Sequence, residues 1–182
     1  MTDAAEHVGD IGGGDPLVRV CLDIERHVGA LGWDQPARLF ALVSTAELLA
    51  AEPSLAATLA EGDEPAPDAL SAVEQDDFHA GGDLIEDLAR IAWPEVVLGC
   101  ALSVERVFVP PEVEPDIPHE PDAAADFVNT HPRRQDVRVV VAVIRAPATH
   151  GVARLKTAPD ELLSGADLVP GLARALARTL ES

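Results

Sequence analysis

The chain has 182 residues, a length that predicts one domain, and is 47% hydrophobic, which suits a folded globule and is too apolar for a disordered acidic tail. Thirty-two Asp and Glu against 13 Lys and Arg give a net charge of −19, which argues against nucleic acid and anionic lipid as partners, because both are held by clustered Lys and Arg. Aromatic residues make up 3% and Tyr is absent, so the core must be built mainly from Leu, Val, Ile and Ala.

In chain order, Met1 to Pro16 is rich in Asp, Gly and Glu and lacks the basic and apolar regions of a signal peptide. With no run of about 18 apolar residues anywhere, a cytoplasmic protein without direct membrane insertion is expected. Residues 1–14 read as a disordered tail. Their glycine run, Gly9-Asp-Ile-Gly-Gly-Gly14, follows no strand and so fails the context of a dinucleotide site. Asp15 and Pro16 open a helix over 16–31, with Leu17, Val20, Cys21, Ile24, Val28 and Leu31 at helical spacing and His27 at the border of that face. Gly32 closes it.

Trp33 to Pro36 is a turn, and Arg38 to Ser44 a strand apolar on both faces. Thr45 to Glu52 starts a short helix that Pro53 breaks, with a further turn or two over 54–59. Ala69 to Gln75 alternates loosely and reads as a strand. Asp83 caps a helix with Leu84, Leu88, Ile91 and Ala92 on its face, ended by Pro94. Val96 to Val109 is the longest strand signal. Val96, Leu98, Cys100, Leu102, Val104 and Phe108 share its more apolar face; Val97, Ala101, Ser103, Glu105, Val107 and Val109 share a partly wet one. Asp122 caps a helix over 123–130. Asp136 to Arg145 reads as a strand buried on both sides, 146–150 as a turn, 151–157 as its hairpin partner, and about 168–181 as a final amphipathic helix.

These elements predict an α+β fold, an antiparallel or mixed sheet with helices packed mainly on one face, in a single domain over 15–182. Acidic, Pro-rich linkers near 61–68 and 110–122 are expected to stay extended and solvated. The acidity is concentrated: residues 61–126 hold 18 acidic and 2 basic side chains, residues 127–182 hold 5 and 8. Cys21 and Cys100 lie far apart in apolar segments and read as buried thiols, neither a disulfide nor a zinc pair.

Several stretches carry a resemblance. His131-Pro132, the run Asp136 to Arg145, Leu163 to Leu172, Gly32-Trp-Asp-Gln-Pro36 with Arg38 to Val43, and Trp93-Pro94 together resemble an uncharacterised conserved protein family of actinobacteria, over most of 15–182. That resemblance implies no activity; members are often encoded near a large membrane protein and a PDZ-type protease, which implies a partner by association. The element order is also similar to that of type III secretion chaperones, small acidic dimers ordered α-β-β-β-α-β-β-α, with helices at 45–59 and 83–92 inserted. This second resemblance implies a chaperone-like binding role.

No GxSxG, HExxH, P-loop or EF-hand pattern is present, and no catalytic residue or cofactor is assigned. The best metal-like group is Glu74, Asp76, Asp77 and His79, whose carboxylates and imidazole suit zinc or manganese but whose spacing follows no regular face. His119 to Asp122 with His131 is a second such group. His150 is placed in a turn at the surface. Arg138, Arg154 and Lys156 share the C-terminal hairpin; they either pair with the protein's own acids or form a docking patch for an acidic partner. The leading expectation is a non-enzymatic adaptor or chaperone-like protein with a protein partner. The alternative is a small-ligand protein or enzyme with a carboxylate/His site in the acidic middle. A weak homodimer is also expected, because the second face of the 96–109 strand needs either helices or another subunit to cover it.

Overall fold

The computed structural model describes residues 15–55 and 67–181. The expected tail at 1–14, most of the linker at 61–68 and the turns beyond Leu55 lie outside the described residues. Among the described residues no helix is long and apolar enough to cross a membrane.

The first helix, α1 (Pro16–Ala30), starts where Asp15 accepts the Leu17 N–H at 2.9 Å and Pro16 takes the first position. Leu17, Val20, Cys21, Ile24 and Val28 form its buried stripe, whereas Leu31 is exposed. Gly32 follows at φ +90°, the left-handed conformation that ends a helix most easily without a Cβ. Strand β1 (Arg38–Ser44) leads into α2 (Thr45–Ala51), capped by the Ser44 hydroxyl, and a 3-10 turn at Pro53–Leu55. Then come β2 (Leu70–Glu74), α3 (Leu84–Leu88), β3 (Gly99–Phe108), α4 (Pro121–Thr130), β4 (Gln135–Ile144), β5 (Ala148–Leu155), β6 (Ala158–Gly165) and α5 (Pro170–Thr179). The six strands form one sheet in the order β2-β1-β3-β4-β5-β6, every neighbouring pair antiparallel. The fold class is α+β.

The helices do not sit mainly on one face. Val137, Val139, Val141 and Val143 of β4 join Leu39, Cys100, Leu102 and Val104 in a core with Leu88 and with Leu172, Ala173 and Leu176 of α5. The alternate residues Val140 and Ala142 join Phe40, Leu42, Ala101 and Val152 in a second core under α1. Side chains alternate along a strand, so the two cores lie on opposite faces of the sheet. A β4 run that is apolar at every position must be covered twice. The second face of β3 is accordingly not wet over its first half: Ala101 and Ser103 are buried beneath α1. With α1 on that face, the reason for expecting a second subunit there falls away.

Other expectations need correction. The β3 ladder begins at Gly99, and Val96, Leu98 and Phe108 are exposed, not core. Gly99 is required there: a Cβ would meet the Val143 carbonyl and the Ile144 side chain on β4. Strand β6 was not expected. Its run Ala-Pro-Asp-Glu-Leu-Leu-Ser-Gly lacks apolar alternation, because an edge strand gains its pairing from one neighbour and often carries Pro and charge. The extra strand makes the C-terminal section a three-stranded meander, so the chaperone-like order, with two strands there, does not carry over. The 110–122 segment is not extended throughout. It turns at Val113, which is buried, and at the 3-10 turn Glu114–Asp116, and Pro121 already opens α4. His150 lies in β5, the turn being shorter than expected.

Arg145 ties the ends of this framework together. Its Nε donates to the Val97 carbonyl at 2.9 Å, its Nη1 to that of Leu180, and its Nη2 to those of Trp93 and Pro94. Arg145 thereby reaches four carbonyls outside the ladders, of which that of Pro94 also accepts the Val97 N–H, and the 93–97 segment is fixed against the end of α5.

Candidate functional site

The acidic stretch after β2 is pulled apart by its neighbours. Glu74 still belongs to the strand, opposite Phe40, on the α1 face. Its carboxylate accepts from Arg38 Nη1 and lies 3.7 Å from His27 Nε2. Asp76 and Asp77 stand exposed in the following turn, and His79 Nδ1 meets the Asp77 carbonyl at 3.1 Å. Glu74, Asp76, Asp77 and His79 therefore share no coordination point. Among the described residues no group of three His, Cys, Asp or Glu is placed to hold a metal. At the second candidate group, His131 Nδ1 is used locally, accepting the Arg133 N–H.

The same stretch does wall a cleft of about 520 Å³. Gln75 extends the sheet by one bond, its N–H donating to the Leu39 carbonyl at 2.8 Å, and the Phe78 N–H turns back to the Gln75 carbonyl. Gly81 donates to the Asp87 carboxylate, and Asp83 caps α3 by accepting from Ile85 and Glu86. Leu88 anchors α3 in the core, and the Ile91 N–H donates to the Leu88 carbonyl. Trp93 is held by its indole N–H, which donates to Thr179 Oγ1 of α5 at 2.9 Å. The result is an apolar floor of Leu39, Phe78, Ile91 and Trp93 with a polar rim of Gln75, Asp77, His79, Asp87 and Arg90. A smaller hollow of about 210 Å³ adjoins it across Gln75, Phe78 and His79. The chain has only four Phe and two Trp, and two of those six side chains line one opening.

Arg138, Arg154 and Lys156 are also brought together, on the α1 face. Arg138 is 2% exposed, so it is no surface residue. Its Nη2 donates to the Gly32 carbonyl at 2.6 Å, its Nη1 lies 3.8 Å from Glu25, and its guanidinium stacks 4.5 Å from the Trp33 ring. Glu25, itself 5% exposed, accepts from Arg154 Nε at 2.6 Å and Nη2 at 3.0 Å. These bonds push the Arg154 pKa up, hydrogen bonding to Glu25 being the largest cause. The Lys156 ammonium lies 5.7 Å from the Trp33 ring. The 31–37 loop reaches this position through two left-handed residues, Gly32 and Asp34, and Glu105 accepts the N–H groups of Asp34 and Gln35 at 2.9 and 2.6 Å. The pairing with the protein's own acids is thus present for two of the three cations.

The cysteines are free and buried. Burial pushes the Cys21 thiol up to about 12 and that of Cys100 up to about 11, so neither has appreciable thiolate at neutral pH and neither is a reactive nucleophile. His150 is pushed below its usual range by burial, with Asp15 opposing, and its Nε2 lies 2.7 Å from Ser164 Oγ.

Sequence reasoning placed Asp77 and His79 in a candidate site but missed Leu39, Asp87, Arg90, Ile91 and Trp93 as their companions. The one signal available was the scarcity of aromatic residues, which makes each Phe or Trp outside a strand or helix face informative.

Comparison with known protein families gives a match over nearly the whole chain. The model of the PPA1309-like protein family covers residues 17–181. No curated protein and no solved structure matches the chain.

Proposed function

We propose that this chain, which belongs to the PPA1309-like protein family, is a non-enzymatic binding protein of adaptor or chaperone type, holding a segment of a protein partner by an apolar side chain seated in the Phe78–Trp93 cleft. The observation that carries this reading is the cleft itself. Its volume falls in the range of about 300–1,000 Å³ typical of binding pockets, and it combines an apolar floor with a few polar groups. Its lining includes no Ser, Thr, Cys or Lys, and His79 is hydrogen-bonded to a backbone carbonyl instead of a nucleophile. That composition favours holding over covalent chemistry. A cytoplasmic setting fits the same reading and is part of the proposal.

Affinity capture with the wild-type chain and with Phe78→Ala, followed by mass spectrometry, tests it. A protein retained by wild type and lost with the variant is the expected result. Equal retention by both, or retention of a small metabolite in place of a protein, would overturn the reading.

A further inference from the structure

We infer that the cleft selects a cationic protein segment, an apolar anchor flanked by Lys or Arg, an inference that rests on the binding reading above. Residues 74–87 hold six carboxylates and no Lys or Arg. Three of the six are engaged. Glu74 is taken by Arg38, Asp83 by the first N–H groups of α3, and Asp87 by the Gly81 N–H and by Arg90 at 3.7 Å. Asp76, Asp77 and Glu86 are exposed and have no ion-pair partner among the described residues. Asp77 lies on the rim of the large cleft and Asp76 on that of the adjoining hollow, either side of Phe78. Arg90 on the rim of the cleft and Arg38 in the hollow are each paired with one of the engaged carboxylates, Asp87 and Glu74, so the opening is apolar at its floor and keeps the unmatched charges of Asp76 and Asp77 at its edge.

Charge complementarity commits the occupant. A second copy of this chain carries a net charge of −19 and is repelled as a whole, and an acidic segment or a nucleic acid would be repelled at this edge likewise. A segment with one bulky apolar side chain and adjacent Lys or Arg fills the floor and meets the two free carboxylates. Exposed pairs are weak and salt-sensitive, so the charged flanks contribute selectivity while the anchor contributes most of the affinity.

The test uses the full chain carrying Trp33→Phe, which leaves Trp93 as the single tryptophan and therefore a reporter inside the cleft. Three synthetic peptides share a central Leu-Phe pair and differ only in flanks of Arg, Ser or Glu. The Arg-flanked peptide is expected to perturb Trp93 emission at concentrations about 2- to 30-fold lower than the Ser-flanked one at low salt, with the gap closing toward 1 M salt. Asp76→Asn with Asp77→Asn, both at exposed positions, is expected to abolish the gap and keep binding of the Ser-flanked peptide. Equal binding of all three peptides, or a gap that survives the double variant, overturns charge selection while leaving the cleft in place. No response of Trp93 to any peptide overturns the binding reading and this inference with it.

Discussion

The two tryptophans stand on opposite faces of one sheet and in opposite circumstances. Trp33 covers Arg138, whose charge is already met by Glu25, the Gly32 carbonyl and the ring itself, so that region is closed and its buried charges are paired, although the Arg138 Nε is buried without a hydrogen-bond partner. Trp93 is held by its indole N–H, by its carbonyl to Arg145 and by packing on the core, and leaves its ring beside an opening edged by free carboxylates. Both regions combine aromatic and charged residues, and composition alone does not separate them. What separates them is whether the charges beside the ring that are withdrawn from solvent have their partners within the chain, as Arg138 and Arg154 do. A charge-paired buried cluster positions a helix and a loop; an opening with unmatched rim charge is available to something else.

Removing one partner from the closed region should have the largest effect. Glu25→Ala leaves Arg138 buried without a carboxylate and is expected to cost about 3–5 kcal/mol of stability, measured as a fall in the urea midpoint. Replacing both ends, Glu25→Leu with Arg138→Met, should recover most of that loss, since the desolvated charge goes with its partner. If the double variant is no better than the single one, the cluster is not the coupled unit described above. In the open region, Phe78→Ala should cost much less than Glu25→Ala and should act on binding.

A lesion in the sheet between the two regions should erase the contrast. Gly99→Ala drives a Cβ into the Val143 carbonyl, which the β3–β4 ladder holds in place, and a loss of about 1–3 kcal/mol is expected. Near-UV circular dichroism should then change at both tryptophans. A smaller effect separates them again: Trp33→Ala removes the stacking on Arg138, worth about 0.5–2 kcal/mol, and should leave the response of Trp93 to peptides intact.

The smallest effect is a pH dependence on the closed side. His150 has a folded-state pKa below its ordinary value of 6.5, so its neutral form is favoured in the folded chain. Its contribution is present in full above that ordinary value and is lost as pH falls through the depressed one. Wild type should therefore lose more stability between pH 7.5 and pH 5 than His150→Gln does. An identical loss in both would show that His150 is not the group responsible.

Much of the framework is legible in the residues. The Asp15–Pro16 start of α1, its stripe from Leu17 to Val28, the strand at Arg38–Ser44 and the uninterrupted valine run of β4 all follow from capping chemistry and periodicity. The apolar continuity of β4 also foretold cover on both faces, although the fold expectation put the helices on one. Strand β6 was illegible because Pro159, Asp160 and Glu161 read as a turn until β5 supplies the pairing. For the site, Asp77 and His79 were visible as chemistry-bearing residues, but Trp93, more than a dozen positions away, was not visible as their neighbour.

The sequence by itself determined most of the segments that form helices and strands, β6 apart, as well as that the core is aliphatic, that the thiols are buried and where the negative charge accumulates. These depend on local periodicity, capping and composition, which neighbouring residues carry. Only the tertiary structure decided which charges are matched: it brought Glu25 to Arg138 and Arg154 across more than a hundred residues, took Glu74 to Arg38, and left Asp76 and Asp77 open beside Phe78 and Trp93. The reason is that an ion pair depends on distances of a few ångströms between side chains far apart in the chain, and those distances are set by strand register and helix packing and not by any residue's own preference.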